Sequence, residues 1–186
     1  SVNMTAESRA VYTAQGGAPI NNPPECLYAP NYMCDIDDLS IFNKLRAEMG
    51  ENINWSKHMR VENPSGETFQ YIVDKLSADF KIKIYNTRLN YYRDGSDWKP
   101  FHHDSHVDSE NYTIGASFGA ERAIEFVRHD RKSTDRIDIG GKKFKFPQRN
   151  GDVFGFDSDV NSEWAHGVPK SISSGERFSV IVWGAR

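Results

Sequence analysis

Apolar positions between residues 35 and 80 recur with a helical period. In DIDDLSIFNKLRAEMG, Leu39, Phe42, Leu45 and Met49 are three or four residues apart, with Asp37 and Asp38 ahead of them and Gly50 behind. In PSGETFQYIVDKLSADF, Phe69, Ile72, Val73, Leu76 and Phe80 repeat the pattern. Acidic residues favour a helix start and glycine a helix end, so the spacing predicts two amphipathic helices.

After Phe80 the period shortens to two. KIKIYNTRLNYY, YTIGASFG, AIEFVRH, KKFKF and RFSVIVW read as strands, punctuated by Gly, Asp and Asn at the spacing of a sandwich or barrel. No helical period of useful length follows. The predicted fold class is mainly β (α+β), with two helices in front of an antiparallel jelly-roll core. The first 24 residues are polar and rich in Gly, Pro and Asn. They read as a flexible tail ahead of a single domain over residues 25–186.

Bulk properties narrow the functional classes. A chain of 186 residues can bury one sizeable core. Its net charge of −3 gives no global attraction to nucleic acid or membranes. No apolar run approaches the roughly 20 residues of a membrane helix, and the N-terminus lacks the apolar stretch of a signal peptide. The two cysteines, Cys26 and Cys34, form neither a disulfide scaffold nor a metal-type pair. A reduced intracellular location, no membrane and a monomer are the expectations.

Candidate chemistry concentrates in FHHDSH, residues 101–106, which holds half of the six histidines. On a strand His102, Asp104 and His106 share one face and His103 and Ser105 the other. An imidazole and a carboxylate two residues apart can be two ligands of a divalent metal. His166, in the turn-like SEWAHGVPK before the last strand, can supply a third, because a jelly roll returns its late strands beside its early ones. Two histidines and a carboxylate on one side of a metal form the facial triad of non-haem Fe(II) oxygenases. A solvated surface loop and a cupin-type site remain alternatives for the motif alone. Arg177 and Ser179 add weight: they share a face of the final strand and can grip a carboxylate. A 2-oxo acid cosubstrate needs a metal together with such an anchor.

With these residues in view, the chain resembles the AlkB-like Fe(II)/2-oxoglutarate dioxygenases over about residues 27–183. IYNTRLNYYRDGSDWKPFHHDSH is similar to the family's approach to its HxD motif, IGASFGAERAIEFVRH to the strand pair that follows, and EWAHGVPK to the segment with the distal histidine. LYAPNYM and the first helix resemble the family's beginning. The resemblance implies a double-stranded β-helix with His102, Asp104 and His166 as iron ligands. It implies Arg177 and Ser179 at the 5-carboxylate of 2-oxoglutarate, completed by Asn90 and Tyr92. It puts His106, Arg122 and Trp55 toward the substrate. Fe(II) and O2 would decarboxylate 2-oxoglutarate to succinate and CO2 and hydroxylate a C–H bond.

The chain also departs from the family. The usual RxNxxxR ending reads Arg177, Ser179 and Trp183, so its Asn and second Arg are absent, and Arg186 lies three residues further on. The acid that reads a damaged base is replaced by His106. The nucleotide lid is reduced to WSKHMRVENPSGE, where Trp55 is the obvious stacking candidate.

Local charge bears on the substrate. Residues 128–149 carry eight Lys/Arg against three Asp and read as a hairpin that could meet phosphates of alkylated DNA or RNA. The expected activity is oxidative demethylation of N-alkylated bases. The alternative is the same chemistry on a protein, lipid or small molecule. A binding protein without turnover is a third reading, against which the intact ligand set argues.

Overall fold

The computed structural model describes residues 26–50, 59–105 and 111–186. The expected tail, Trp55 and His106 lie outside the described residues. Ten strands within them form two antiparallel sheets. The larger runs β1 (Cys26–Ala29), β8 (Val153–Asp157), β5 (Asn111–Gly119), β10 (Arg177–Ala185), β3 (Lys83–Tyr92) and β2 (Arg60–Glu62). The smaller runs β4 (Lys99–His102), β9 (Trp164–Val168), β6 (Ile124–Arg128) and β7 (Lys143–Phe146). Facing each other, they make the mainly β jelly roll that the alternation predicts.

The two predicted helices are α1 (Ser40–Glu48) and α2 (Glu67–Phe80). Helix α1 begins after Asp38, whose carboxylate accepts a bond from the Ser40 amide at 3.0 Å. The Glu48 carboxylate at its far end accepts from the Thr68 amide at 2.7 Å, so α1 also holds the first turn of α2. Leu45, Phe69, Ile72, Leu76 and Phe80 pack on the outer face of the larger sheet against Phe178, Val180 and Val182. Removing this apolar area from water is the main force holding helices to sheet. A second, aromatic core fills one end of the space between the sheets, around Phe126, Phe144, Phe146, Phe156 and Trp164.

The structure adds pieces too short for a sequence period to reveal: β1 ahead of α1, three-residue β2, and α3 (Ser158–Glu163). Strands β6 and β7 pair from Ile124↔Phe146 to Val127↔Lys143, so the basic segment is a hairpin. Strand β10 is central. Its odd-numbered residues Arg177, Ser179, Ile181 and Trp183 face the interior, while Phe178, Val180 and Val182 face the helices. One strand therefore carries both the core and half of the site.

Candidate metal centre

Strands β4 and β9 pair so that His102 lies opposite His166. Asp104 follows two residues after His102, beyond the end of β4. One nitrogen from each histidine and one Asp104 oxygen lie within 4.8 Å of one another. Asp104 Oδ1 is 3.5 Å from His102 Nε2 and 3.4 Å from His166 Nε2. Bonds of roughly 2.1 Å at right angles put neighbouring ligand atoms about 3 Å apart, so the spacing fits three donors around one cation. The nitrogen and oxygen donor set suits Fe(II).

Each ligand is held from behind. His102 Nδ1 lies 2.8 Å from the Pro100 carbonyl, which accepts its N–H and leaves Nε2 for a metal. His166 packs between Phe126 and Phe156, with centroid distances of 5.8 and 5.0 Å. Asp104 is buried, and its Oδ2 accepts from Thr113 Oγ1 at 2.8 Å and Trp183 Nε1 at 3.1 Å. With Oδ2 so engaged, Oδ1 is the oxygen left for the cation. Asn161 of α3 fixes the main chain: its Oδ1 accepts from the Asp104 amide at 2.8 Å, and its Nδ2 donates to the Asp104 carbonyl at 2.9 Å.

Proton affinities follow from this packing. Burial would raise the Asp104 pKa, but His166 and His102 outweigh it and hold the carboxyl well below its ordinary value. Desolvation disfavours charge on His102, yet the neighbouring carboxylate wins and raises its pKa. Buried His166 goes the other way: desolvation dominates and lowers it.

His102, Asp104 and His166 line a cleft of about 540 Å³, its open mouth included, together with Asn90, Tyr92, Lys99, Arg177, Ser179 and Trp183. Register puts Asn90 and Ser117 on either side of Ser179, and Tyr92 and Gly119 on either side of Arg177. Arg177 is 1% exposed. Its Nε donates to Ser117 Oγ at 2.8 Å and its Nη2 to Gln148 Oε1 at 2.9 Å, both neutral partners. The Tyr92 ring lies under the guanidinium, 4.8 Å away. Arg177 Nη1 and Asn90 Oδ1 are buried without a partner among the described residues. A buried cation with an unused donor is costly unless an anion meets it, which suits a carboxylate-bearing ligand.

The remaining expected site residues fall differently. Arg122 is buried but does not line the cleft. Its guanidinium donates to the carbonyls of Asp94, Asp97 and Pro169, pinning the turn before β4. His103 points away from the ligands, bonding the Asn161 carbonyl at 2.5 Å and His129 Nδ1 at 2.8 Å.

Sequence reasoning missed Asn161, Gln148, Thr113 and Lys99, and saw Trp183 only as a lost arginine. Gln148 carries a positive φ of 46° while it braces Arg177. Such a conformation in a non-glycine residue often marks a functional site, and nothing in FPQRNGD announces it beyond a turn. Lys99 was detectable as a cation three residues before the first ligand. Burial, then the nearby Arg88 and Arg60, pull its pKa down to about 8.

The sequence matches no family model and no curated protein. Solved structures do share the fold. EvdMO1 superposes with a TM-score of 0.60 at 16% identity over 87% of this chain, which spans only 47% of that protein. A 2OG-Fe(II) oxygenase family oxidoreductase from Burkholderia pseudomallei gives 0.58 at 16% identity, covering 98% of this chain and 94% of its own. OsALKBH1 gives 0.57 at 15% identity, covering 87% and 98%. The fold is therefore that of the Fe(II)/2-oxoglutarate oxygenases.

Proposed function

We propose that the protein is an Fe(II)- and 2-oxoglutarate-dependent dioxygenase. One observation carries this reading: a single cleft joins the His102, Asp104 and His166 cluster to a buried arginine with an unused donor. Bound there, Fe(II) with 2-oxoglutarate and O2 supplies oxidation of a C–H bond coupled to formation of succinate and CO2. His102, Asp104 and His166 hold the metal. Arg177 and Ser179 take the distal carboxylate of the cosubstrate, with Asn90 and Tyr92 closing its pocket. Thr113, Trp183 and Asn161 keep Asp104 oriented.

The favoured reaction is oxidative demethylation of an N-alkylated nucleic-acid base, whose hydroxymethyl product collapses to formaldehyde and the repaired base. The basic hairpin supports it, because His129 within that hairpin bonds His103, next to a metal ligand. The likeness in fold to OsALKBH1 is compatible with it. Phosphate contacts would supply salt-sensitive affinity, and the base would be turned out of its stack or taken from a single strand. The same chemistry on a protein, lipid or small molecule is the second reading, favoured by His106 in place of a base-reading acid.

The test is incubation with Fe(II), 2-oxoglutarate, ascorbate and oligonucleotides carrying 1-methyladenine or 3-methylcytosine. Mass spectrometry would follow succinate and methyl loss. Both together are expected; succinate without methyl loss would move the substrate to the second class.

A further inference from the structure

The register of the larger sheet lines up a row of side chains behind Asp104. Glu62 on β2 lies opposite Arg88 on β3, and Arg88 lies opposite Ile181 on β10. Directly opposed residues share a face, here the one that lines the cleft. Trp183 is two residues further along β10, diagonal to Arg88 and within reach of a long side chain. Its neighbour on the other side is Thr113 of β5, the second donor to Asp104.

The contacts follow that order. One carboxylate oxygen of Glu62 accepts from Arg88 Nε at 3.1 Å and from Arg88 Nη2 at 2.7 Å. The Arg88 guanidinium lies 5.0 Å from the centre of the Trp183 ring. Trp183 Nε1 in turn donates to Asp104 Oδ2 at 3.1 Å. An indole has one N–H and can only donate, so the aim of that bond depends on how the ring plane is held. A cation against the ring holds the plane and polarises the N–H toward its acceptor. Arginine suits the task, since its planar fork meets the carboxylate while its face meets the ring. An ion pair this exposed contributes little to stability by itself. What sets it apart is that its cation covers a ring bonded to Asp104.

We infer that Arg88, anchored by Glu62, is a positioning residue for the metal centre: it holds the Trp183 indole so that Nε1 occupies Asp104 Oδ2 and leaves Oδ1 to the cation. The inference rests on the dioxygenase reading and extends its metal centre to β3 and the edge strand β2, both acting through Trp183. Its sign separates it from simple electrostatics. Arg88 is a cation in the same cleft, so its charge alone repels a divalent metal, and losing that charge should tighten binding. Losing the positioning should weaken it.

The test measures Mn(II) affinity of the full chain by titration calorimetry in the parent, R88M, R88K, W183F and the double variant R88M/W183F. R88M is expected to bind about fivefold more weakly. R88K keeps the charge without the planar fork and should recover only part of the loss. With no N–H left to aim, R88M should cause no further weakening in the W183F background. The metal-free chain gives a second readout by 15N NMR. Of its four tryptophan indole signals, the one missing in W183F should move upfield in R88M, as a weakened hydrogen bond does. E62Q, which leaves Arg88 in place, should move it the same way and decides the matter where R88M fails to fold. Mn(II) binding by R88M as tight as the parent's or tighter, an equal loss in the W183F background, or an unmoved indole signal would each overturn the inference alone. A parent chain that binds no Mn(II) would bring down the dioxygenase reading and the inference with it, a result distinct from those three.

Discussion

Asp104 offers two oxygens, and the protein occupies only one of them. Thr113 and Trp183 donate to Oδ2, so Oδ1 is presented toward the two imidazoles. Partners behind a metal ligand commonly contribute 10- to 100-fold in affinity. W183F, which keeps the ring and removes the N–H, is therefore expected to weaken Fe(II) or Mn(II) binding about tenfold, measured by titration calorimetry. His102 and His103 provide a sharper contrast. H102A removes a proposed ligand and should abolish metal binding, whereas H103A breaks contacts to Asn161 and His129 and should largely keep it. Equal loss in both variants would contradict the assignment. At this scale the sequence was readable where a residue type has few other uses. An HxD motif, a distal histidine and an RxS pair stand out. Trp183 was legible only as a missing arginine, because no spacing tells that an indole N–H will reach a carboxylate 79 positions away.

At the scale of elements, strand parity pointed to His102 and Asp104, which do cluster with His166, by an incomplete route. The alternation of His102 and Asp104 presumed a continuing strand, but β4 ends at His102. Asp104 is held by Asn161 on the six-residue α3, whose amide takes the place of a strand neighbour for the Asp104 main chain. A helix of under two turns leaves no periodicity to detect, which is why this clamp was invisible. N161A should leave the Asp104 amide and carbonyl without partners, at about 1–3 kcal/mol for each buried group. Thermal unfolding should show a drop in Tm of roughly 2–4 °C per kcal/mol in a chain of this size. An unchanged Tm would mean that water satisfies both groups. By contrast α2 and β10 were legible, since each buries an apolar stripe whose period the sequence must keep, and α1 was legible although Leu45 is its one fully buried residue and Leu39 stays exposed.

At the scale of the molecule, two sheets press their inner faces together and leave one end polar. The cleft there brings Arg177, Arg88 and Lys99 close to His102, Asp104 and His166 in a chain of net charge −3. Lys99 has a pKa pulled below the ordinary lysine value, to about 8, so it is cationic below that pH and neutral above it. Attraction for a dicarboxylate should therefore fall as pH rises through about 8. The KM for 2-oxoglutarate is expected to climb across that range, and K99M should flatten the profile. A parent profile without that rise would remove Lys99 from the cosubstrate's surroundings. The jelly roll itself could be anticipated from the switch between helical and strand periods, but not the confluence of charges, which arises from strands far apart in the chain.

The most direct test of the central claim is conversion of 2-oxoglutarate to succinate by the purified chain with Fe(II) and O2, followed by mass spectrometry. The account predicts iron-dependent succinate that disappears in D104A and falls in R177Q through a raised KM for 2-oxoglutarate. Succinate that persists in D104A, or none from a parent chain shown to bind both Fe(II) and 2-oxoglutarate, would contradict it.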